Sequence, residues 1–211
     1  MGGETTNPQG AADTRARVRE VAARMLEGQL SRWGLTCALE PWADIRAEVG
    51  ALRQAVYRDK LPHMLADGGR APVDADDERA FHFVARREGV AVAALRLLPP
   101  PFEADLIFPD LAAAVRPGVR YIELGRLVGS PGAGEVGASR VLALHALVWG
   151  LDRPEYDGLL AYARERASQH FRLFGMQVAT RVEHAEGKAA QPYVLLVSHL
   201  DDTMGALSVW G

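Results

Sequence analysis

The segment Y-I-E-L-G-R-L-V-G, residues 121–129, limits the folds open to this chain more than any other. Tyr121, Ile122, Leu124, Leu127 and Val128 give it the composition of a buried strand, yet it carries Glu123 and Arg126 with Gly125 between them. A sheet that buries this strand must pair those two charges, hydrate them or use them, because an uncompensated charge in an apolar interior is strongly unfavourable. In a regular strand, residues three apart point to opposite faces. A β-bulge near Gly125 would cancel that alternation and turn Glu123 and Arg126 toward one cleft. It would also leave a backbone N–H unpaired, the kind of donor that polarises a carbonyl where negative charge develops. The bland alternative is a glycine placed only for close packing.

The flanking sequence alternates helical and strand periods. Val18, Val21, Met25, Leu26, Leu30 and Trp33 fall on one face of a helix over 14–34, closed by Gly34. A short strand at 35–39 precedes a second helix from about Asp44, with Ile45, Val49, Leu52, Val56 and Tyr57 inward. A loop rich in Gly, Pro and acid leads to a hairpin in which Phe81, Phe83 and Ala85 alternate and Glu88-Gly89 turns the chain. Three prolines end the hairpin at 99–101, and F-E-A-D-L-I-F-P-D-L reads as loop and a short helix. Beyond the opening strand come a glycine-rich turn, an apolar helix (V-L-A-L-H-A-L-V-W), the strand G-L-L-A-Y-A, the helix R-A-S-Q-H-F-R-L-F-G and two closing strands. The order α-β-α-β-β-β-α-β-α-β-β predicts one mixed α/β domain over 14–211, after a disordered polar tail at 1–13.

Composition removes several classes of function. A net charge of −3 over 211 residues carries no nucleic-acid footprint. The single cysteine, Cys37, leaves no internal disulfide or cysteine metal site, and reads as a small buried hydrophobe in a reducing compartment. No apolar run reaches the ~18 residues of a membrane span, and the first ten residues lack signal-peptide character, so a cytoplasmic location is expected. No side-chain spacing suggests a metal site, and there is no G-x-S-x-G nucleophile turn.

Four motifs then occur in order: R-Q-A-V-Y (53–57), D-A-D-D (74–77), A-L-R-L-L-P (94–99) and E-L-G-R (123–126). Together with L-I-F-P-D-L and the element order, they resemble the GCN5-related N-acyltransferase (GNAT) superfamily. The match is to its acyl-homoserine-lactone synthase and N-acyl amino acid synthase branch. The resemblance implies a central, mostly antiparallel sheet with a bulged, splayed middle flanked by helices. It also implies transfer of an acyl group from an acyl-carrier-protein or coenzyme A thioester to the primary amine of a small molecule, with no permanently bound cofactor. Arg53, Asp74, Asp77, Arg96, Glu123 and Arg126 stand at the branch's charged positions. Tyr57 and His63 depart from the Phe and Trp that usually follow, which points away from S-adenosylmethionine and toward a more general amine acyltransferase.

On that basis Arg53, Tyr57, Asp74, Asp77, His82 and Arg96 are the expected substrate-binding residues. His82 alternates away from Phe81 and Phe83, either to line the cleft or to sit satisfied in the core. Glu123, Gly125 and Arg126 are the expected catalytic group. A carboxylate in an apolar strand should hold its proton more tightly and serve as general base, or else pair with an arginine to shape the cleft. For the acyl donor, Leu127, Val128 and Gly129 continue the strand, and Gly134, Gly137, Ser139 and Arg140 form the turn and helix start, where backbone N–H groups attract phosphate. That turn departs from the acetyltransferase pattern Q/R-x-x-G-x-G/A, which favours a carrier-protein donor. Phe171 falls where many acetyltransferases keep a thiolate-protonating tyrosine, leaving that role vacant or moved to Ser168 or His170. A thiol titrating near ~8.5 leaves without much need of an acid. The rivals are a lactone synthase using S-adenosylmethionine and a non-catalytic module that binds acyl groups or carrier protein.

Overall fold

The computed structural model describes residues 8–60, 65, 72–130, 135–172, 175–186 and 189–199. Its elements are α1 (Pro8–Trp33), β1 (Thr36–Glu40), α2 (Trp42–Lys60), β2 (Phe81–Arg87), β3 (Val90–Leu98) and a four-residue α3 (Leu111–Ala114). They continue with β4 (Tyr121–Gly129), α4 (Glu135–Leu151), β5 (Gly158–Arg164), α5 (Ser168–Arg172), β6 (Gln177–Glu186) and β7 (Ala189–His199). Short 3-10 turns at Ala75–Arg79 and Glu103–Leu106 carry residues that matter below. The predicted order holds. The first helix begins at Pro8 rather than Thr14, a position where proline's fixed φ suits a helix start, so residues 8–13 are helical and not a tail. Residues 1–7 and the segment 200–211 lie outside the described residues.

The seven strands form one sheet in the order β1-β2-β3-β4-β5-β7-β6. All pairs are antiparallel except β4–β5. The β2–β3 hairpin turns on Glu88 and Gly89, with φ of +52° and +82°, the two left-handed residues of a turn whose twist matches its strands.

Burial explains the layers. The α4 sequence is apolar all round, and such a helix must be covered on both sides. One side of α4 packs on the sheet through Val141, Leu144 and Trp149 against Phe83, Leu95 and Ile122. The other side takes α1, whose Val18 and Ala22 are wholly buried. Arg15 of α1 donates to the carbonyl oxygens of Gly150, Leu151, Arg153 and Tyr156, satisfying the end of α4 where intrahelical partners run out. The opposite face of the sheet carries α2, with Trp42, Ile45, Val49, Val56 and Tyr57 against Val84, Ala94 and Val128. Residues 102–119 cover the same face beside β5 and β7, through Ala104, Phe108 and Leu111.

Candidate active site

β4 is bulged. Ala94 pairs with Val128 and Arg96 with Gly125, so Arg126 and Leu127 together stand opposite the single residue Leu95. The left-handed residue of the bulge is Arg126, at φ +52°, and not the glycine before it. The bulge resets the alternation. Tyr121 packs on the α2 side of the sheet and Ile122 and Leu124 on the α4 side, while after the bulge Leu127 faces α4 and Val128 faces α2. Glu123 and Arg126 therefore share the α2 side, as the sequence led us to expect.

β4 also leaves its other neighbour at this point. Its parallel pairing with β5 runs from Tyr121–Gly158 to Leu124–Ala161 and stops there, although both strands continue. The splay opens a cleft of about 220 Å³. Leu124, Leu127, Ala163 and Phe171 give it apolar walls, Tyr57, Tyr162 and Tyr193 line it with aromatic rings, and Gly125, Arg126, Arg164 and Arg166 complete the lining. Of these, Tyr162, Tyr193, Arg164 and Arg166 were not anticipated. Tyr162 and Arg164 come from β5, Arg166 from the turn after it and Tyr193 from β7 alongside, which sequence alone does not set beside β4.

Beneath the cleft lies a buried network of alternating charge. Arg53 of α2 donates to both carboxylate oxygens of Asp77, at 2.9 and 2.8 Å, and to the Pro72 carbonyl. Arg96 of β3 reaches Asp74 at 2.8 Å, Asp77 at 3.1 Å and Glu103 at 2.8 Å. Arg126 reaches Asp74 and Glu103, both at 2.6 Å, and the Tyr57 hydroxyl at 3.3 Å. Arg53, Asp77 and Arg96 are fully buried. Burial raises the Asp77 carboxyl, but the facing guanidinium groups outweigh it and hold it below its usual value. Among the described residues three guanidinium groups thus face three carboxylates, without Glu123.

Glu123 is the surplus carboxyl. It is fully buried, with one oxygen accepting the Ala104 N–H at 3.1 Å and the other, Oε1, meeting no hydrogen-bond donor among the described residues. Burial pushes its carboxyl up to about 7; the Ala104 N–H works against that, and the adjacent Glu103 charge adds to it. Its expected arginine partner is not there, because Glu103 occupies Arg96 and Arg126 instead. Glu103 was missed in the sequence. It shares a 3-10 turn with Asp105, which instead caps Phe102 from the surface, and nothing local says which carboxylate turns inward.

Several expected residues have other work. Arg53, Asp77 and Arg96, expected to bind substrate, are fully buried and do not line the cleft; Asp77 joins the two arginines, and Arg96 reaches on to Asp74 and Glu103. His82 lies in the core, its Nε2 2.8 Å from the Asp77 carbonyl and its ring stacked on Trp42. Burial draws its imidazole below the usual value, toward the neutral form. Val128 packs under α2, away from the cleft, and Gly129 pairs with Ala93 at the strand's end. Gly137 is buried where α1 meets α4, and a Cβ there would lie 2.5 Å from the Trp33 ring, so the glycine has a packing reason. Ser139 and Arg140 are half-buried in the first turns of α4 and do not line the cleft. Gly134 lies outside the described residues, as do His63 and the His170 side chain. Ser168 donates to the Glu165 carbonyl at 2.7 Å. Burial pushes the Cys37 thiol up to about 12, consistent with a packing cysteine.

No protein-family model and no curated protein matches the chain. Solved structures do. FeeM, an N-acyl amino acid synthase from uncultured soil microbes, superposes with a TM-score of 0.61 at 12% identity, covering 82% of this chain and 94% of that one. TofI, in a ternary complex with an inhibitor and MTA, gives 0.63 at 21% identity over 82% of this chain and 96% of its own. The AHL synthase LasI gives 0.57 at 16% identity over 82% and 94%. These likenesses extend over most of the chain, and with its mixed seven-stranded sheet and flanking helices the chain has the fold of the GCN5-related N-acyltransferases.

Proposed function

We propose that this protein is an N-acyltransferase that moves an acyl group from a carrier-protein or coenzyme A thioester to the amine of an amino acid or related small molecule. The observation that carries this reading is the unpartnered Glu123 Oε1, buried beside a cleft that opens at the β4 bulge. A carboxyl with a pKa of about 7 is matched to taking a proton from an ammonium group near neutral pH. The freed amine nitrogen attacks the thioester carbonyl carbon, and the carbonyl electrons move to oxygen beside the bulge. Collapse breaks the C–S bond, and the second nitrogen proton leaves with the thiolate as free thiol. The products are an amide, a thiol and one proton delivered through Glu123 to solvent. Arg126, held by Asp74, Glu103 and Tyr57, fixes the wall against which the carbonyl lies. The apolar wall of Leu124, Leu127 and Phe171 suits an acyl tail.

The test is mass spectrometry of lipid extracts from bacteria expressing the protein or its Glu123→Ala variant. New masses fitting acyl chains amide-linked to an amino acid, absent with the variant, are the expected result. Acyl lactones would instead favour synthesis from S-adenosylmethionine, the reading that the likeness to LasI supports. Identical extracts, followed by no thiol release from carrier-protein or coenzyme A donors, would overturn the enzymatic reading in favour of a binding module.

A further inference from the structure

Gly125 lines the cleft and has no side chain to fill the space above it. Among the described residues a Cβ built there would meet two atoms within 4 Å, chain neighbours aside: Glu123 Oε1 at 3.6 Å and Glu103 Oε2 at 4.0 Å. The notch is therefore floored by oxygens of two different carboxylates and opens on the cleft. One of them, Glu123 Oε1, has no hydrogen-bond donor among the described residues although its residue is fully buried. Burying a carboxylate oxygen without a partner is costly, so the arrangement is incomplete as it stands. The charge pattern says what completes it. Among the described residues Arg53, Arg96 and Arg126 form ion pairs with Asp77, Asp74 and Glu103, and none of these pairs includes Glu123, which feels Arg96 only at a distance.

We infer that the Gly125 notch is the subsite for the acceptor's primary ammonium group, bound between Glu123 Oε1 and Glu103 Oε2, and that the absent side chain sets its size. A primary ammonium brings one positive charge and three donors in a compact head, which suits two converging oxygens. A guanidinium spreads its donors over a broad plane where two oxygens converge, and a neutral hydroxyl would leave the Glu123 charge unbalanced. The subsite selects small heads on the nitrogen: primary amines enter, N-methylated ones collide with the floor. Glu103 then has two tasks, tying Arg96 to Arg126 and presenting its Oε2 to the notch. This assignment takes the acyltransferase reading as its premise for chemistry, but binding alone can be tested without it.

The decisive variant is Gly125→Ala. Its Cβ makes ordinary contacts, and Gly125 is not among the left-handed glycines, so the fold should hold. Two measurements go together on the full chain. The first is the shift in melting temperature caused by glycine methyl ester, an ammonium without a carboxylate, with its N,N-dimethyl form as control. The second is the acceptor KM with whatever donor and amine the extracts identify. The inference expects a shift with the primary amine only, its loss in Gly125→Ala, and an acceptor KM raised about tenfold or more with donor KM unchanged. If Gly125→Ala fails to fold, Glu123→Gln, which leaves the notch open but uncharged, should lose the same shift. Acyl transfer with an unchanged acceptor KM and an unchanged shift in Gly125→Ala overturns the notch and leaves the enzyme standing. A primary-amine shift abolished by the variant, in a protein that transfers no acyl group, keeps the notch and overturns the enzyme.

Discussion

The Glu123→Gln variant should be more stable relative to the native protein as pH rises. The native carboxyl goes from 4.5 to about 7 on folding, so the folded state holds its proton more tightly than the unfolded chain. Below about 4.5 both states are protonated and folding carries no penalty at this site. As pH climbs through about 7 the folded protein must bury a charge that the unfolded chain solvates freely. Each tenfold in proton affinity is worth about 1.36 kcal/mol, so the gap amounts to about 3 kcal/mol lost by pH 8. The groups around the carboxyl are Ala104 N–H and Glu103 on the 102–106 turn and Arg96 on β3. Glutamine keeps the acceptor for Ala104, has the same shape and cannot ionise. Urea unfolding of both proteins between pH 5 and pH 8.5 reads the difference directly. The variant should gain on the native protein by about 3 kcal/mol across that range, within a factor of two. Curves that stay parallel over the whole range would refute the claim that Glu123 is the uncompensated carboxyl. Catalysis should show the opposite preference, with native activity rising through pH 7 as the base is freed, and the variant inactive throughout.

Glu103→Gln should lower stability at neutral pH by about 3 kcal/mol, because it strips the shared carboxylate from two buried guanidinium groups. The same change should move the acid limb of the rate profile to lower pH, since Glu123 loses the neighbouring charge that helps to raise it. Arg15→Ala should cost about 2 kcal/mol in urea unfolding, the loss of four bonds to carbonyls at the end of α4. Gly137→Ala should cost about 2 kcal/mol by driving a methyl group into the Trp33 ring, and Trp33→Ala in the same chain should recover part of that loss.

The order of elements was legible because each pattern is sustained: a helical period in α1 and α2, a twofold one in β2, and continuous apolar runs in α4 and β5. The bulge was legible from one incongruity, two charges three residues apart in an apolar strand. Its backbone was not: glycine has the freedom to take the left-handed conformation, yet Arg126 takes it. A Cβ on Gly125 would instead stand over two carboxylate oxygens, Glu123 Oε1 and Glu103 Oε2. Arg53, Asp74, Asp77 and Arg96 were legible as a set, but their depth was not, because sequence shows which charges recur and not which are sealed beneath others. His82 and Gly137 illustrate the same gap. Each has a pattern that suits a site, and each is explained by a neighbour distant in sequence, Trp42 for one and Trp33 for the other. Glu103 left no local signal, since only the folded turn separates it from Asp105.

The bulge and the splay are one structural event, and the ion network makes it affordable. An arginine in the left-handed region carries backbone strain of about 1–3 kcal/mol. Continuing β4 regularly would remove that strain, but it would turn the Arg126 side chain to the α4 side, into the apolar layer of Ile122 and Leu124. There its guanidinium would meet no carboxylate, while Asp74 and Glu103 would each lose a partner on the other face. Leaving a buried charge uncompensated costs about 3–5 kcal/mol, more than the strain. The chain therefore keeps the bulge because its charges require it, and β4 leaves β5 beyond Leu124, where the strand changes phase. The cleft is then the gap opened by a strand that has to satisfy Arg126, and Glu123, three residues earlier and already on the correct face, is left outside the ion pairs of the described residues.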